Sequence, residues 1–206
     1  MPHIIGDFSF TWPFYLGFGL AYFVGSIPVG LIIARIFGLG DIRKIGSGNI
    51  GATNVLRTGN KAAAAATLLL DASKGGVPVF LAANYGPDMT VLAAAGTVIG
   101  HIFPIWLLFK GGKGVATTLG VLLALSWPVG LIACALWVAA AALFRYSSLA
   151  SLIAVCSSVG LAYWLSKPQF AEIIGFLALL VALKHIGNIR RLMKGTESKI
   201  GETSAR

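Results

Sequence analysis

Between positions 43 and 57 the chain reads RKIGSGNIGATNVLR, a run of glycines and short hydrogen-bonding side chains bracketed by cations. Glycine lets successive backbone N–H groups converge on one anion, and Ser47, Asn49, Thr53 and Asn54 add short donors. Lys44 and Arg57 stand at either end, and a guanidinium suits two-point contact with phosphate. Gly46, Gly48 and Gly51 also match the dinucleotide-binding pattern, with Asp71 about twenty residues on. That pattern needs a strand before it and a βαβ unit around it, whereas an apolar run ending near Phe37 precedes this loop, so the match is rejected. Phosphate binding survives the rejection, and its rival is a flexible polar loop with ordinary charge.

A second cluster lies at 101–118, HIFPIWLLFKGGKGVATT, where Lys110 and Lys113 alternate with Gly111, Gly112 and Gly114 just ahead of an apolar helix. A helix N-terminus offers unpaired N–H groups and the favourable end of its dipole to an anion. The glycine spacing is not that of a Walker A loop. Two lysines among glycines are also unusual as mere membrane anchors. His101 sits on an apolar helix, where a packing role competes with a catalytic one. Ser147 and Ser148 follow Arg145, and His185 and Asn188 are three apart, so a helix would place them on one face. Asp71 and Lys74 lie inside an apolar run, where a charge costs ~2.5–3.5 kcal/mol, and they read either as an ion pair or as the wall of a site.

Elements must bring these segments together, and composition says in what solvent. The chain has 206 residues, 57% hydrophobic and 11% charged, with a mean hydropathy of +0.84. A soluble domain carries about 25% charged residues, and a small one buries only ~70% of its unfolded surface. Lipid is the fitting solvent. The net charge of +9 would suggest nucleic acid in a soluble protein, but here the basic residues sit between apolar runs, and no nucleic-acid partner is expected. Cys134 and Cys156 fall in apolar segments without metal-ligand spacing and read as reduced packing residues. The N-terminus shows neither a basic n-region nor a small-residue cleavage site, so the first apolar run is expected to stay in the membrane.

A helix needs about 20 apolar residues to cross the hydrocarbon. The stretch 115–144 would be ~45 Å long as one helix, and Ser126, Trp127, Pro128 and Gly130 supply a turn within it. The expected fold is therefore an all-α integral membrane protein of seven transmembrane helices, with spans near 12–37, 62–83, 90–109, 114–127, 129–145, 148–165 and 170–186 and a basic tail at 187–206, in a single domain. Seven spans give one side Arg43, Lys44, Arg57, Lys61, Lys110, Lys113, Arg145 and the tail with Arg190, Arg191, Lys194, Lys199 and Arg206. The other side receives Lys167 with Asp7, Asp88 and Glu172. The positive-inside rule then sets the N-terminus outside and the C-terminus in the cytoplasm. Six spans would leave Arg145 and the tail outside. Gly96 and Gly100 have the small-residue spacing of close helix packing.

All the candidate donors thus share the cytoplasmic side, and carboxylates are nearly absent among them. That set suits acyl transfer from an acyl phosphate to a phosphorylated alcohol. The donor is already activated, so positioning and electrostatics suffice. Five segments carry a resemblance: GSIPVG (25–30), KIGSGNIGATNVLR (44–57), GHIFPIWLLFKGGKGVAT (100–117), SSLASL (147–152) and KHIGNIRRLMKGTESKI (184–200). They resemble the bacterial acylphosphate:glycerol-3-phosphate acyltransferases over nearly the whole chain. Ile186 departs from that family, since a basic residue is expected after the histidine. The chain lacks the His-x4-Asp signature of acyl-CoA-type enzymes, with Trp106 five residues after His101 and Arg190 five after His185.

The resemblance implies an inner-membrane enzyme, its site facing the cytoplasm, that moves a fatty acyl group from acyl phosphate to the 1-hydroxyl of glycerol 3-phosphate. It implies lysophosphatidic acid and phosphate as products, no cofactor, no metal, and a soluble acyl-phosphate synthase as a possible partner beside membrane lipid. Carried onto this chain, Ser47, Arg57, Lys113, His185 and Asn188 would hold glycerol 3-phosphate. Gly48, Asn49, Thr53, Gly112, Gly114 and Ser148 would cradle the acyl phosphate. His185 or the donor's own phosphate would take the proton, with His185, Lys113 and Arg57 as the catalytic set. The competing class is a membrane transporter of a phosphorylated solute, which Asp71 and Lys74 within the apolar run keep open.

Overall fold

The computed structural model describes residues 7–201, and Arg206 of the expected basic tail lies outside them. Among the described residues the chain is all helix and turn, with no strand. The first apolar run gives α1 (Phe8–Gly25) and α2 (Val29–Ile36), broken at residues 26–28 rather than continuous. Pro28 accounts for the break, because it has no N–H to donate and disfavours helical backbone at Ile27. α3 (Ala52–Leu56) is a short helix in the glycine loop. α4 (Lys61–Ala82) starts where the Asn60 side chain accepts a hydrogen bond from Ala63 N at 2.9 Å.

α5 (Pro87–Ile102), α7 (Trp127–Phe144) and α9 (Pro168–Lys184) each carry proline in the first turn, where the missing N–H would be unpaired anyway. The stretch 115–144 does split, at Ser126, into α6 (Val115–Leu125) and α7. α8 (Ser147–Leu165) follows Arg145, whose backbone is left-handed (φ 62°). α10 (Ile186–Met193) continues α9 across His185 with a bend of 59°. Among the described residues, five stretches are long and apolar enough to cross a membrane, α9 with α10 makes a sixth, and α6 is a shorter apolar helix.

Hydrogen bonds fix which ends gather. Ser126 Oγ donates to Leu165 O at 3.1 Å, and Gln169 Nε2 to Asp88 Oδ1 at 2.5 Å, tying the α6–α7, α8–α9 and α4–α5 turns at one end. At the other end Thr53 and Ser147 share a hydrogen bond of 3.0 Å, and Lys113 Nζ donates to Asn188 Oδ1 at 2.5 Å. The basic residues of the loops, Lys167 excepted, lie at this second end.

Close backbone packing joins α1 to α5 and α4 to α6. A Cβ on Gly96 or Gly100 of α5 would overlap the carbonyls of Phe18 or Tyr22 on α1, and one on Gly120 of α6 would overlap Ala72 O on α4. Small residues permit such contact where no water-driven force pushes helices together. Outward, Phe80, Val138, Leu143 and Trp164 are largely exposed, as a surface solvated by lipid requires.

Candidate active site

The glycine loop is built around Asn54, a buried residue of α3. Its Nδ2 donates to Ile42 O (2.6 Å) and Asn49 O (2.7 Å), while its Oδ1 accepts from Ser47 N (3.2 Å). Asn54 is therefore a strut that shapes the loop, with its polar atoms already engaged. Gly46 has φ 53°, and a side chain there would run into the Arg57 chain, so this glycine is needed twice over. Arg43 is held by Asp41 at 2.8 Å and does not line the cavity, whereas Arg57 turns inward.

The lysine loop is pinned at its base. Gly111 N donates to Ile102 O (3.2 Å) and Gly112 N to His101 O (3.1 Å), closing the loop against the end of α5. The N–H of Gly112, expected to face an anion, is thus directed at a protein carbonyl, as is that of Gly111. Gly114 (φ 81°) caps α6, and Lys113 projects between them.

His185 and Asn188 arrive from the bend between α9 and α10, at 1% and 4% exposure. His185 Nδ1 is 2.7 Å from Val181 O. A carbonyl oxygen only accepts, so Nδ1 carries the hydrogen and Nε2 is left as an acceptor in the neutral ring. Asn188 accepts from Lys113 and donates from Nδ2 to Glu197 Oε1 at 2.6 Å.

Ser47, Asn49, Thr53, Arg57, Lys113, Gly114, Ser148, His185 and Asn188 all line one cavity of about 330 Å³. Of the expected site residues, Gly48 and Gly112 do not line it. Asp71 of α4 does, and pairs with Lys74 at 2.7 Å, so it is both ion pair and wall. Away from the loops the cavity continues between Leu68, Leu119, Leu123, Trp137 and Val138, an apolar extension that the sequence did not disclose. Among the described residues, no three His, Cys, Asp or Glu side chains group as a metal site would need.

A carboxylate also stands where few were expected. The segment after α10 folds back so that Glu197 Oε1 accepts from Ser148 Oγ and Asn188 Nδ2, both at 2.6 Å, and Oε2 from Arg191 Nε at 2.6 Å. Ser198 Oγ accepts from Arg57 Nη2 at 2.5 Å. An acid set among the basic residues of the tail was the available signal. Burial alone would raise the Glu197 carboxyl, but the bonds from Ser148, Asn188 and Arg191 outweigh it and hold it below the usual carboxylate range. Burial pushes the Lys113 ammonium down to about 8, with Glu197 opposing and Arg191 and Arg57 reinforcing the shift.

Comparison with known proteins meets this geometry. The family model described as glycerol-3-phosphate acyltransferase matches residues 15–195. A glycerol-3-phosphate acyltransferase of Jannaschia sp. is 58% identical over 186 residues, covering 90% of this chain and 92% of its own. One from Mesorhizobium japonicum is 56% identical over 191 residues, covering 93% and 98%. The crystal structure of PlsY, an integral membrane glycerol 3-phosphate acyltransferase, in its glycerol 3-phosphate form, matches with a TM-score of 0.87 at 34% identity, over 92% of this chain and 96% of that one.

Proposed function

The chain belongs to the glycerol-3-phosphate acyltransferase family and is a membrane acyltransferase, and on that premise we propose that its acyl donor is a fatty acyl phosphate and its acceptor the 1-hydroxyl of glycerol 3-phosphate. The transporter reading falls with family membership. One observation supports the proposal most: Arg57, Lys113, His185 and Asn188, from three separate segments, line a single polar cavity with an apolar extension. A small phosphorylated alcohol suits the first part and an acyl chain the second.

In this reading Ser47, Arg57, Lys113 and Asn188 hold the acceptor's phosphate, and His185 Nε2 accepts a hydrogen bond from its hydroxyl. Asn49, Thr53, Gly114 and Ser148 cradle the acyl phosphate, while Gly48 and Gly112 give their loops their shape. The hydroxyl oxygen attacks the acyl carbon, the bond from that carbon to the phosphate oxygen breaks, and the hydroxyl proton ends on the departing phosphate. Products are 1-acylglycerol 3-phosphate, the first acylation product of phospholipid synthesis, and hydrogenphosphate. Catalysis by positioning and charge needs no covalent intermediate. The basic end faces the cytoplasm of a bacterial inner membrane, where a soluble acyl-phosphate synthase would deliver the donor.

Purified protein in detergent tests this. Phosphate should be released from acyl phosphate only when glycerol 3-phosphate is added, and acyl-CoA should not replace the donor. Turnover with acyl-CoA but not acyl phosphate would reverse the donor assignment. Arg57→Ala and Lys113→Ala should each lower kcat/KM roughly 10- to 100-fold, the worth of a charged hydrogen bond. Wild-type values in both would remove the anion site.

A further inference from the structure

The proposed chemistry makes no use of one buried polar group, formed by Asp71, Lys74, His101 and Thr117 of α4, α5 and α6, all nearly inaccessible to solvent. Lys74 Nζ stands 2.7 Å from Asp71 Oδ1 and donates to Ile27 O at 2.7 Å, in the break between α1 and α2. His101 Nδ1 is 3.1 Å from Thr117 Oγ1 and 3.6 Å from Asp71 Oδ1. The other ring nitrogen, Nε2, lies against Gly112, where even a methyl group would overlap it. Nδ1 is thus engaged by polar partners and Nε2 packs against the loop glycine, at the point where the ring borders the cavity beside Asp71.

A purely packed histidine would need no carboxylate in a lipid-surrounded bundle, where charge is costly. A histidine that must keep one orientation does need partners at its ring nitrogen, as the outer partners of metal-binding histidines illustrate. The orientation matters because of what rests on the ring. Gly112 N donates to His101 O at 3.1 Å, Gly111 N to Ile102 O at 3.2 Å, and Lys113 follows directly. Any turn of the ring would lift Gly112 and carry Lys113 with it.

We propose that His101, oriented by Asp71 and Thr117, is a positioning residue that fixes the glycine–lysine loop and so sets where the Lys113 ammonium points. The inference rests on Lys113 as a ligand of the acceptor's phosphate. Lys74 compensates the Asp71 charge and, through Ile27 O, ties the same cluster to the α1–α2 break.

Steady-state kinetics on purified Thr117→Val, Thr117→Ser, His101→Asn and Lys113→Gln variants test it. Thr117→Val removes the hydroxyl from Nδ1 at constant volume. It should raise the KM for glycerol 3-phosphate roughly fivefold, the equivalent of one neutral hydrogen bond, with kcat within about twofold. Thr117→Ser should keep the wild-type KM, and His101→Asn should raise it more than Thr117→Val does. A structural lesion alone would shrink the active fraction, lowering kcat with KM unchanged. That outcome, or no change in Thr117→Val, overturns the proposal. If His101→Asn does not fold, the Thr117 pair decides alone. Lys113→Gln separates the premise: an unchanged KM there defeats the phosphate-ligand reading, whereas a raised KM there with a silent Thr117→Val defeats only the positioning role.

Discussion

Because burial brings the Lys113 ammonium down to about 8, its charge in the free enzyme is lost as pH rises through that value. A bound phosphate dianion favours the charged form and raises the group's pKa in the complex. The two limbs of the kinetics should therefore separate. The profile of kcat/KM for glycerol 3-phosphate, which reports the free enzyme, should fall above about pH 8, while kcat holds to higher pH. Parallel pH profiles with no decline near 8 would remove Lys113 from acceptor binding. At this scale the sequence disclosed the donors better than their wiring. Ser47, Arg57, Lys113, His185 and Asn188 stood out because cations and amides near glycines are few in so apolar a chain. Asn54 looked like one more donor, yet its side chain is consumed by Ile42, Asn49 and Ser47. Glu197 escaped notice because its partners, Ser148 and Asn188, lie 49 and 9 residues away, a relation that no local spacing encodes.

The elements were legible where lipid imposes a rule and obscure where backbone geometry decides. A chain in hydrocarbon must satisfy its own N–H and C=O groups, so apolar runs of sufficient length imply helix, and the all-helical fold follows. Hydropathy does not register a break within an apolar run, which is why the interruption at residues 26–28 and the bend of 59° at His185 came only from the structure. The short helix α6 is held by close approach to α4 at Gly120, and two effects compete when that glycine is replaced. Alanine favours helix by about 1 kcal/mol over glycine, whereas overlap with Ala72 O costs about 1–3 kcal/mol. Backbone atoms cannot move aside as a side chain can, so the clash should win, and Gly120→Ala should melt at a lower temperature in detergent. An equal or higher melting temperature would mean that α4 and α6 separate without loss.

Across the molecule, charge is sorted to the end that carries the cavity, while Lys167 stands at the other with Asp88 and Glu172. With Cys134 and Cys156 replaced by alanine, Lys167→Cys should react with a membrane-impermeant thiol reagent on intact spheroplasts. Lys194→Cys should react only after lysis. The opposite pattern would invert the proposed orientation. The apolar part of the cavity adds a last consequence. Leu68, Leu123 and Val138 line it and are also 45%, 38% and 62% exposed, so the cavity is open beside apolar side chains of the membrane-spanning helices. A reactant with a long tail can then arrive sideways, by diffusion in two dimensions, and its acylated product can leave the same way without dissolving in water. With the proposed fatty acyl phosphate as donor, the relevant supply is its mole fraction among lipids, so enlarging the bilayer at a fixed amount of donor should slow turnover even when the amount per litre is unchanged.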